Sequence, residues 1–230
     1  MRKLATILIT LIFELPIFAD GSILNNATGF IENKGQIIDQ NKIPNKDVLY
    51  LFNINGMNIQ LRRGGFSYDV YANEENEVKD SLNLIRELKT LEDLKRINKT
   101  TTRYFHRIDI DLAGANINHG VVAEERSEAY FNYYNIEKPV LNVHKYNRVT
   151  YTDIYPGIDL VFTAGNGKPF EYTFVVKSGA SIADIRLHVS GANSLKVNDD
   201  VVSYATTLST INETIPRCWY VDDSKEYPID

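Results

Sequence analysis

The sequence predicts an all-β fold of the β-sandwich type, with many short antiparallel strands and one amphipathic helix inserted between them. Three observations support this prediction. Short runs in which apolar and polar residues alternate recur along the chain, as expected for half-buried strands. Turn signals separate these runs by about 8–12 residues, the spacing of sandwiches and barrels. Residues 74–97 follow a helical period instead.

The strand pattern is clearest between residues 48 and 71. An apolar run at 48–52 precedes Asn55-Gly56, a strong hairpin-turn signal, and strict alternation follows at 57–61 and again at 66–71. The same criteria predict later strands at residues 104–112, 129–134, 144–151, 158–162, 170–176, 185–189, 194–197, 201–204, 208–211 and 217–221.

Residues 74–97 predict the inserted helix. Apolar side chains recur there every three or four positions, with charged residues between them: Val78, Leu82, Ile85, Leu88, Leu91 and Leu94. This spacing places them on one face of a helix. We interpret the helix as a surface insertion, because a helix normally packs its apolar stripe on its own domain. A helix that binds a partner is the alternative.

The first residues have the layout of a secretory signal peptide. Arg2 and Lys3 precede an apolar run at 4–13, and the small residue Ala19 follows. The run is shorter than the ~20 residues that a membrane-spanning helix needs, and no later segment is apolar enough to cross a membrane. We therefore predict a signal peptide at 1–19 and a secreted or cell-surface protein. A buried N-terminal helix or strand is the alternative.

The remaining chain divides into an extended lead-in at 20–47, rich in Asn, Gly and Asp, and a β domain at 48–230. The full chain has a net charge of −5, and without residues 1–19, which carry +1, the net charge is −6. This acidic balance argues against a nucleic-acid partner, which would select a basic surface. Cys218 is the single cysteine, so no internal disulfide can form.

Four segments, in order, resemble those of a functionally uncharacterised domain: GFIENKGQ at 29–36, GFSY at 65–68, YFNYY at 130–134 and YPGIDLVF at 155–162. That N-terminal β domain opens large exported bacterial surface proteins. These proteins continue into β-propeller-type (SBBP) repeats, polycystic-kidney-disease-type (PKD) sandwiches or gliding-motility-associated C-terminal regions.

The resemblance implies an exported, surface-displayed module whose partner is the rest of a larger surface protein. The domain has no established catalytic residues, so none carries over to this chain. This chain also has Thr173 where an acidic residue is usual. Because relatives continue beyond the matching region, we expect the chain to lack its final strands and to leave an open edge at 217–221.

Asp159 and Glu171 are the weak candidates for catalytic carboxylates, of the kind that a glycoside hydrolase uses. If Phe162 faced Phe170 across a hairpin, the two carboxylates would be diagonal neighbours on one sheet face, about 7–8 Å apart at Cα. Glycosidase carboxylates lie ~5–9.5 Å apart, so this pairing would permit catalysis. We favour the alternative that both carboxylates are structural and pair with nearby arginines or backbone donors.

Tyrosine is frequent in this chain, with 14 residues. Tyr130, Tyr133, Tyr134 and Tyr151 are the candidate ligand-binding residues, because exposed aromatic rings on a sheet can stack on sugars or anchor an interface. Strand alternation puts Tyr130 and Tyr134 on one face and Tyr133 on the other, so one set must face outward. Ordinary core packing of strand aromatics is the alternative.

Several acidic residues are candidates for a structural calcium site. Asp109 and Asp111 share a strand face, and Asp199-Asp200 and Asp222-Asp223 lie in predicted turns, where carboxylates can hold a structural calcium ion. Neither EF-hand spacing nor a metal-type histidine pair occurs, so we expect no cofactor.

These features together predict a non-enzymatic, exported structural or adhesive module of a bacterial surface protein, with a cell-surface glycan or protein as its partner. A carbohydrate-binding module that uses the tyrosine cluster is the alternative. A glycoside hydrolase that uses Asp159 and Glu171 is the third hypothesis.

If the protein is exported through the predicted signal peptide, that peptide should be cleaved after Ala19. The intact mass of the protein secreted from a bacterial host should match a chain that begins at Asp20. Secreted protein that still begins at Met1 would contradict the signal peptide.

Overall fold

The computed structural model describes residues 6–14, 29–39, 41–77, 99–134, 136–165, 168–198, 200–214, 217–222 and 225–229. These residues form an all-β fold, as the alternating pattern predicts. The sixteen strands are β1 (Thr6–Glu14), β2 (Phe30–Glu32), β3 (Val48–Ile54), β4 (Met57–Arg62), β5 (Gly65–Glu77), β6 (Lys99–Leu112), β7 (Gly120–Tyr133), β8 (Val140–Tyr155), β9 (Ile158–Gly165), β10 (Lys168–Val176), β11 (Leu187–Ser190), β12 (Ser194–Asn198), β13 (Val201–Ala205), β14 (Thr210–Thr214), β15 (Arg217–Asp222) and β16 (Lys225–Ile229).

All sixteen strands belong to one antiparallel sheet, and the predicted sandwich is wrong in this respect. The main path runs β11-β6-β5-β4-β3-β2-β8-β9-β10-β1-β14-β13-β12. Strand β7 joins at β8, while β15 joins at β1 and carries β16 on its other side. Strands β3 to β6 form a meander of hairpins, and Asn55-Gly56 makes the first turn as predicted.

The sheet curls on itself like half a barrel, and buried aromatic rings fill the inside of the curl. Phe66 on β5 lies 4.8 Å from Tyr172 on β10 and 5.7 Å from Phe162 on β9, measured between ring centroids. Four strands separate β5 from β9 along the sheet, so only strong curvature brings these rings together. Such edge-to-face and tilted aromatic pairs contribute about 0.5–1.5 kcal/mol each beyond their area burial.

The first four residues of the helix predicted at 74–97 form part of a strand instead. Residues 74–77 continue β5, and Glu74 pairs with Thr102 while Glu77 pairs with Lys99 on β6. The three consecutive threonines at 100–102 favour this extended pairing, because β-branched side chains suit a sheet. The rest of the predicted helix, residues 78–97, lies outside the described residues. Within the described ranges no helix is long and apolar enough to span a bilayer.

Part of the predicted lead-in at 20–47 belongs to the sheet. Strand β2 lies between β3 and β8, and Phe30 is fully buried in the core. Gly29 makes this entry possible, because its φ is +79° and an added Cβ would lie 2.8 Å from the carbonyl oxygen of Tyr146. Residues 20–28 of the lead-in lie outside the described residues.

The apolar N-terminal run coincides with β1. A strand here is the alternative interpretation of this segment, beside the signal peptide. Strand β1 pairs with β10 on one side and with β15 and β14 on the other. Strand β15 therefore lies between β1 and β16, so the open edge expected at 217–221 is not found.

A buried carboxylate fastens the inside of the curl. Glu213 on β14 is 1% exposed. It accepts hydrogen bonds from the Tyr68 hydroxyl, from the Tyr172 hydroxyl at 3.1 Å and from the Tyr204 hydroxyl at 2.9 Å. The three tyrosines lie on β5, β10 and β13, so a single side chain connects four strands. Burial raises the pKa of Glu213, although the three tyrosine hydroxyls act to lower it.

This carboxylate predicts a pH-dependent stability. Because folding raises the pKa of Glu213 above its ordinary value of 4.5, its contribution is complete below about pH 4.5 and is lost as the pH rises through the raised pKa. The melting temperature of the parent protein, measured relative to Glu213→Gln, should therefore fall as the pH rises above about 4.5. Glu128→Gln, an exposed position on β7, is the control. A pH-independent difference between the parent and Glu213→Gln would refute this role.

Candidate functional site

Strands β7 and β8 form a long two-stranded arm, defined here as residues 127–144. Pairing of β8 with β9 begins at Arg148, and β2 contacts β8 at Lys145 and Tyr146. Residues of the arm pair across it, as Tyr130 does with His144. The outer edge of β7 has no strand partner among the described residues.

The arm exposes aromatic side chains on both of its faces. Tyr130 is 55% exposed, Phe131 41% and Tyr134 68%, whereas Tyr133 is half-buried. Tyr130 packs near the His144 ring at 5.9 Å, and the Lys145 ammonium lies 4.9 Å from the Phe131 ring. Three of the four predicted ligand-binding tyrosines, Tyr130, Tyr133 and Tyr134, thus lie close together on the arm.

Tyr151 does not belong to this group. It is fully buried, and its ring lies 4.2 Å from the His119 ring and 5.2 Å from the Phe162 ring. Its hydroxyl has no hydrogen-bond partner among the described residues, and burial raises its pKa. Tyr151 therefore lacks the exposed ring on which its predicted ligand-binding role is based, because this strand position faces the core.

Asp159 and Glu171 are farther apart than the predicted hairpin would place them. Phe162 pairs with Tyr172 rather than with Phe170, so Glu171 pairs with Thr163. Thr163 is four residues along β9 from Asp159, which corresponds to about 13 Å along a strand. This separation exceeds the ~5–9.5 Å of glycosidase carboxylate pairs. A β-bulge between Lys168 and Glu171 accompanies the altered register.

Asp159 has structural partners. Its carboxylate lies 2.9 Å from the Lys177 ammonium and accepts a hydrogen bond of 2.8 Å from the backbone N–H of Asp153. The two contacts connect the start of β9 to the end of β8 and to the residue after β10. Such contacts are expected if the Asp159 carboxylate has a structural role, which is the interpretation favoured from the sequence.

Asp109 and Asp111, the two strand aspartates considered as calcium ligands, each lie beside an arginine. Asp111 lies 2.7 Å from the Arg62 guanidinium, and Asp109 lies 2.8 Å from that of Arg107. The Ser67 hydroxyl also donates to Asp109 at 2.6 Å. In the part of the chain that the structure describes, no group of three or more His, Cys, Asp or Glu residues could hold a metal ion. Asp199 and Asp223 lie outside that part.

Two cavities flank the loop that follows β2. The first has a volume of about 680 Å³ and lies toward Tyr50, Arg63 and His119. The second has a volume of about 560 Å³ and lies toward the tip of the arm at 136–140. Lys34, Gly35 and Pro44 line both cavities, so this loop separates them.

Side-chain amides shape the loop. The Asn33 amide donates to the carbonyl oxygens of Asn45 at 2.8 Å and Val48 at 2.7 Å, while its oxygen accepts from the Gly35 N–H at 2.8 Å. Gly35 has a φ of +110°, which favours glycine at this turn. The Lys34 ammonium donates to the carbonyl oxygen of Asn142 at 2.7 Å and so connects the loop to the arm.

The first cavity contains a tyrosine held in its neutral form. Burial, Tyr146 and Glu32, in that order, raise the pKa of Tyr50 to about 12. Its hydroxyl therefore stays protonated well into the alkaline range. The His119 ring lines the same cavity, with Nε2 2.9 Å from the carbonyl oxygen of Arg63 and Nδ1 3.0 Å from that of Gly120.

Sequence reasoning missed the cavities because it treated 20–47 as a lead-in. One signal was available: Asn33 and Gly35 fall within the segment that resembles the known domain, and both shape the loop. The lead-in also contains three lysines spaced eight and four residues apart: Lys34, Lys42 and Lys46. The distant residues Arg63, His119 and Lys138 reach the cavities through the fold, so no local pattern could reveal them.

Comparison with protein-family models matches residues 30–230 to a family described as a domain of unknown function, DUF7948. Comparisons with curated proteins and with solved structures gave no match.

The separation of the two carboxylates predicts that they are not a catalytic pair. Asp159→Asn should lower the free energy of unfolding by up to about 1 kcal/mol, because its ion pair with Lys177 is partly exposed. A panel of glycoside substrates should show no hydrolysis by the parent protein. Activity that both Asp159→Asn and Glu171→Gln abolish would establish a hydrolase instead.

Proposed function

The chain belongs to the DUF7948 family, and we propose that it acts as a non-enzymatic structural or adhesive module of an exported bacterial surface protein. The observation that carries this proposal is the aromatic arm. A binding module needs an accessible surface with anchor residues, and the two-stranded arm offers three exposed aromatic rings.

The edge of the arm supports the same function. Strand β7 spans 14 residues and its outer backbone edge is unpaired among the described residues. An open edge can add a strand from another chain, and main-chain hydrogen bonds then supply affinity. Exposed tyrosines beside such an edge can act as anchors, since Tyr is enriched among the residues that dominate binding energy.

Export through a signal peptide at 1–19 is part of the proposal. The same segment contains β1, so cleavage after Ala19 would remove that strand from between β10 and β15. The edge of β10 would then become available to another strand. Processing would thus create a second site for association with the rest of a surface assembly.

A carbohydrate-binding module is the second candidate function. Tyr130 and Tyr134 favour it, because both rings are more than half exposed and lie within five residues on the arm. Tyrosine rings offer an apolar face and a polar hydroxyl, a combination that suits sugars. The glycoside hydrolase is the least supported candidate, because about 13 Å separates Asp159 from Glu171 along the strand.

Substitution of the exposed tyrosines tests the adhesive role. The double variant Tyr130→Ser with Tyr134→Ser should bind bacterial cell-envelope preparations at least about tenfold more weakly than the parent protein, as expected when interface anchors are removed. Tyr104→Ser, which removes a 48%-exposed tyrosine on β6, is the matched control and should change binding by less than about twofold. Thermal melts of all three proteins establish that they are folded.

An array of neutral glycans separates the two candidate functions. Envelope binding that the double variant loses, without neutral-glycan binding by the parent, supports a protein partner for the arm, whereas neutral-glycan binding lost in the double variant supports the carbohydrate-binding module. Equal envelope binding by the parent and the double variant would show that the arm is not the adhesive surface.

A further inference from the structure

The two cavities beside the loop after β2 concentrate positive charge on an acidic chain. The net charge of the whole chain is −5. Five cationic side chains nevertheless line the two cavities, against two carboxylates, Glu32 and Glu137. The cations are Lys34, Lys46 and Arg63 in the first cavity and Lys34, Lys42 and Lys138 in the second.

Most of this charge is not neutralised within the described structure. Lys34 forms an ion pair of 3.0 Å with Glu32. For Lys42, Lys46, Arg63 and Lys138, the described residues provide no ion pair, and all four side chains are exposed. Cations gathered along a concave surface create a local positive potential, even where the net charge of the protein is negative.

The remaining lining suits a ligand that is more than a simple ion. The Tyr50 hydroxyl is neutral at physiological pH and can form hydrogen bonds in the first cavity. Ile38, Ile136 and Val140 give the second cavity an apolar wall beside Lys42 and Lys138. Both volumes, about 680 and 560 Å³, fall in the range of about 300–1,000 Å³ typical of ligand sites.

We propose that these cavities form one binding site for an acidic polysaccharide, with Lys46 and Arg63 in the first cavity and Lys42 and Lys138 in the second holding its carboxylate groups. A polymer with a charge on successive sugar units can occupy both cavities and pass Lys34, which lines both. The hydroxyl groups and apolar faces of the sugar rings match Tyr50 and the apolar wall.

This ligand class fits better than a nucleic acid. Single-stranded nucleic acids use a basic groove with several aromatic rings on which successive bases stack. The second cavity instead has aliphatic walls, and the acidic balance of the chain opposes long polyanions elsewhere on its surface. Binding should therefore be confined to the cavities and should weaken as salt screens the charges.

Oligogalacturonate is the probe for this site, and isothermal titration calorimetry at low ionic strength measures its binding to the full chain. The double variant Lys46→Gln with Arg63→Gln should bind at least about tenfold more weakly, because charge-assisted hydrogen bonds are lost. Lys196→Gln, an exposed position on β12, is the matched control and should change affinity by less than about twofold. Glu137→Gln, which removes a carboxylate from the second cavity, should bind more tightly.

Neutral dextran oligosaccharides and a single-stranded oligonucleotide of similar charge complete the experiment. The proposal expects both to bind at least about tenfold more weakly than oligogalacturonate. Absence of oligogalacturonate binding, equal affinity of the parent and the double variant, or an oligonucleotide affinity that equals that of oligogalacturonate would each overturn it. Neither Tyr130 nor Tyr134 lines either cavity, so the adhesive function and this site can fail independently.

Discussion

The carboxylate of Glu213 must receive hydrogen bonds inside the protein, because burying a charged or polar group without partners costs several kcal/mol. Tyr68, Tyr172 and Tyr204 supply those bonds from three different strands. Their hydroxyls can converge on one carboxylate only if the sheet curls until β5 lies opposite β10 and β14. One buried acid therefore connects the two sides of the curl within which the aromatic core packs.

That curvature decides where binding surfaces can lie. The inside of the curl is filled by buried rings such as Phe66 and Phe162. The candidate binding surfaces lie outside the curl, on the arm at 127–144 and at the loop after β2. The Lys34 ammonium joins the two through the carbonyl oxygen of Asn142, so the adhesive surface and the cationic cavities share one wall.

Local sequence patterns predicted the strand-rich fold, and they failed wherever pairing depends on distant residues. Alternation identified β4 and the Asn55-Gly56 turn, yet it placed Phe162 opposite Phe170 instead of Tyr172. A shift of two residues keeps every side chain on its face, so the hydrophobic pattern cannot detect it. Alternation does place Glu213 on the same face as buried Ile211, but the three hydroxyls around it come from strands that only the fold brings together.

A double-mutant cycle between Tyr68→Phe and Tyr204→Phe tests most directly whether Glu213 couples the two sides of the curl. Chemical denaturation of the parent, both single variants and the double variant gives the coupling energy. Residues that share a buried hydrogen-bonded partner should be coupled by at least about 0.5 kcal/mol. Strict additivity of the two substitutions, within about 0.3 kcal/mol, would contradict a shared partner and with it the coupling of the two sides of the curl.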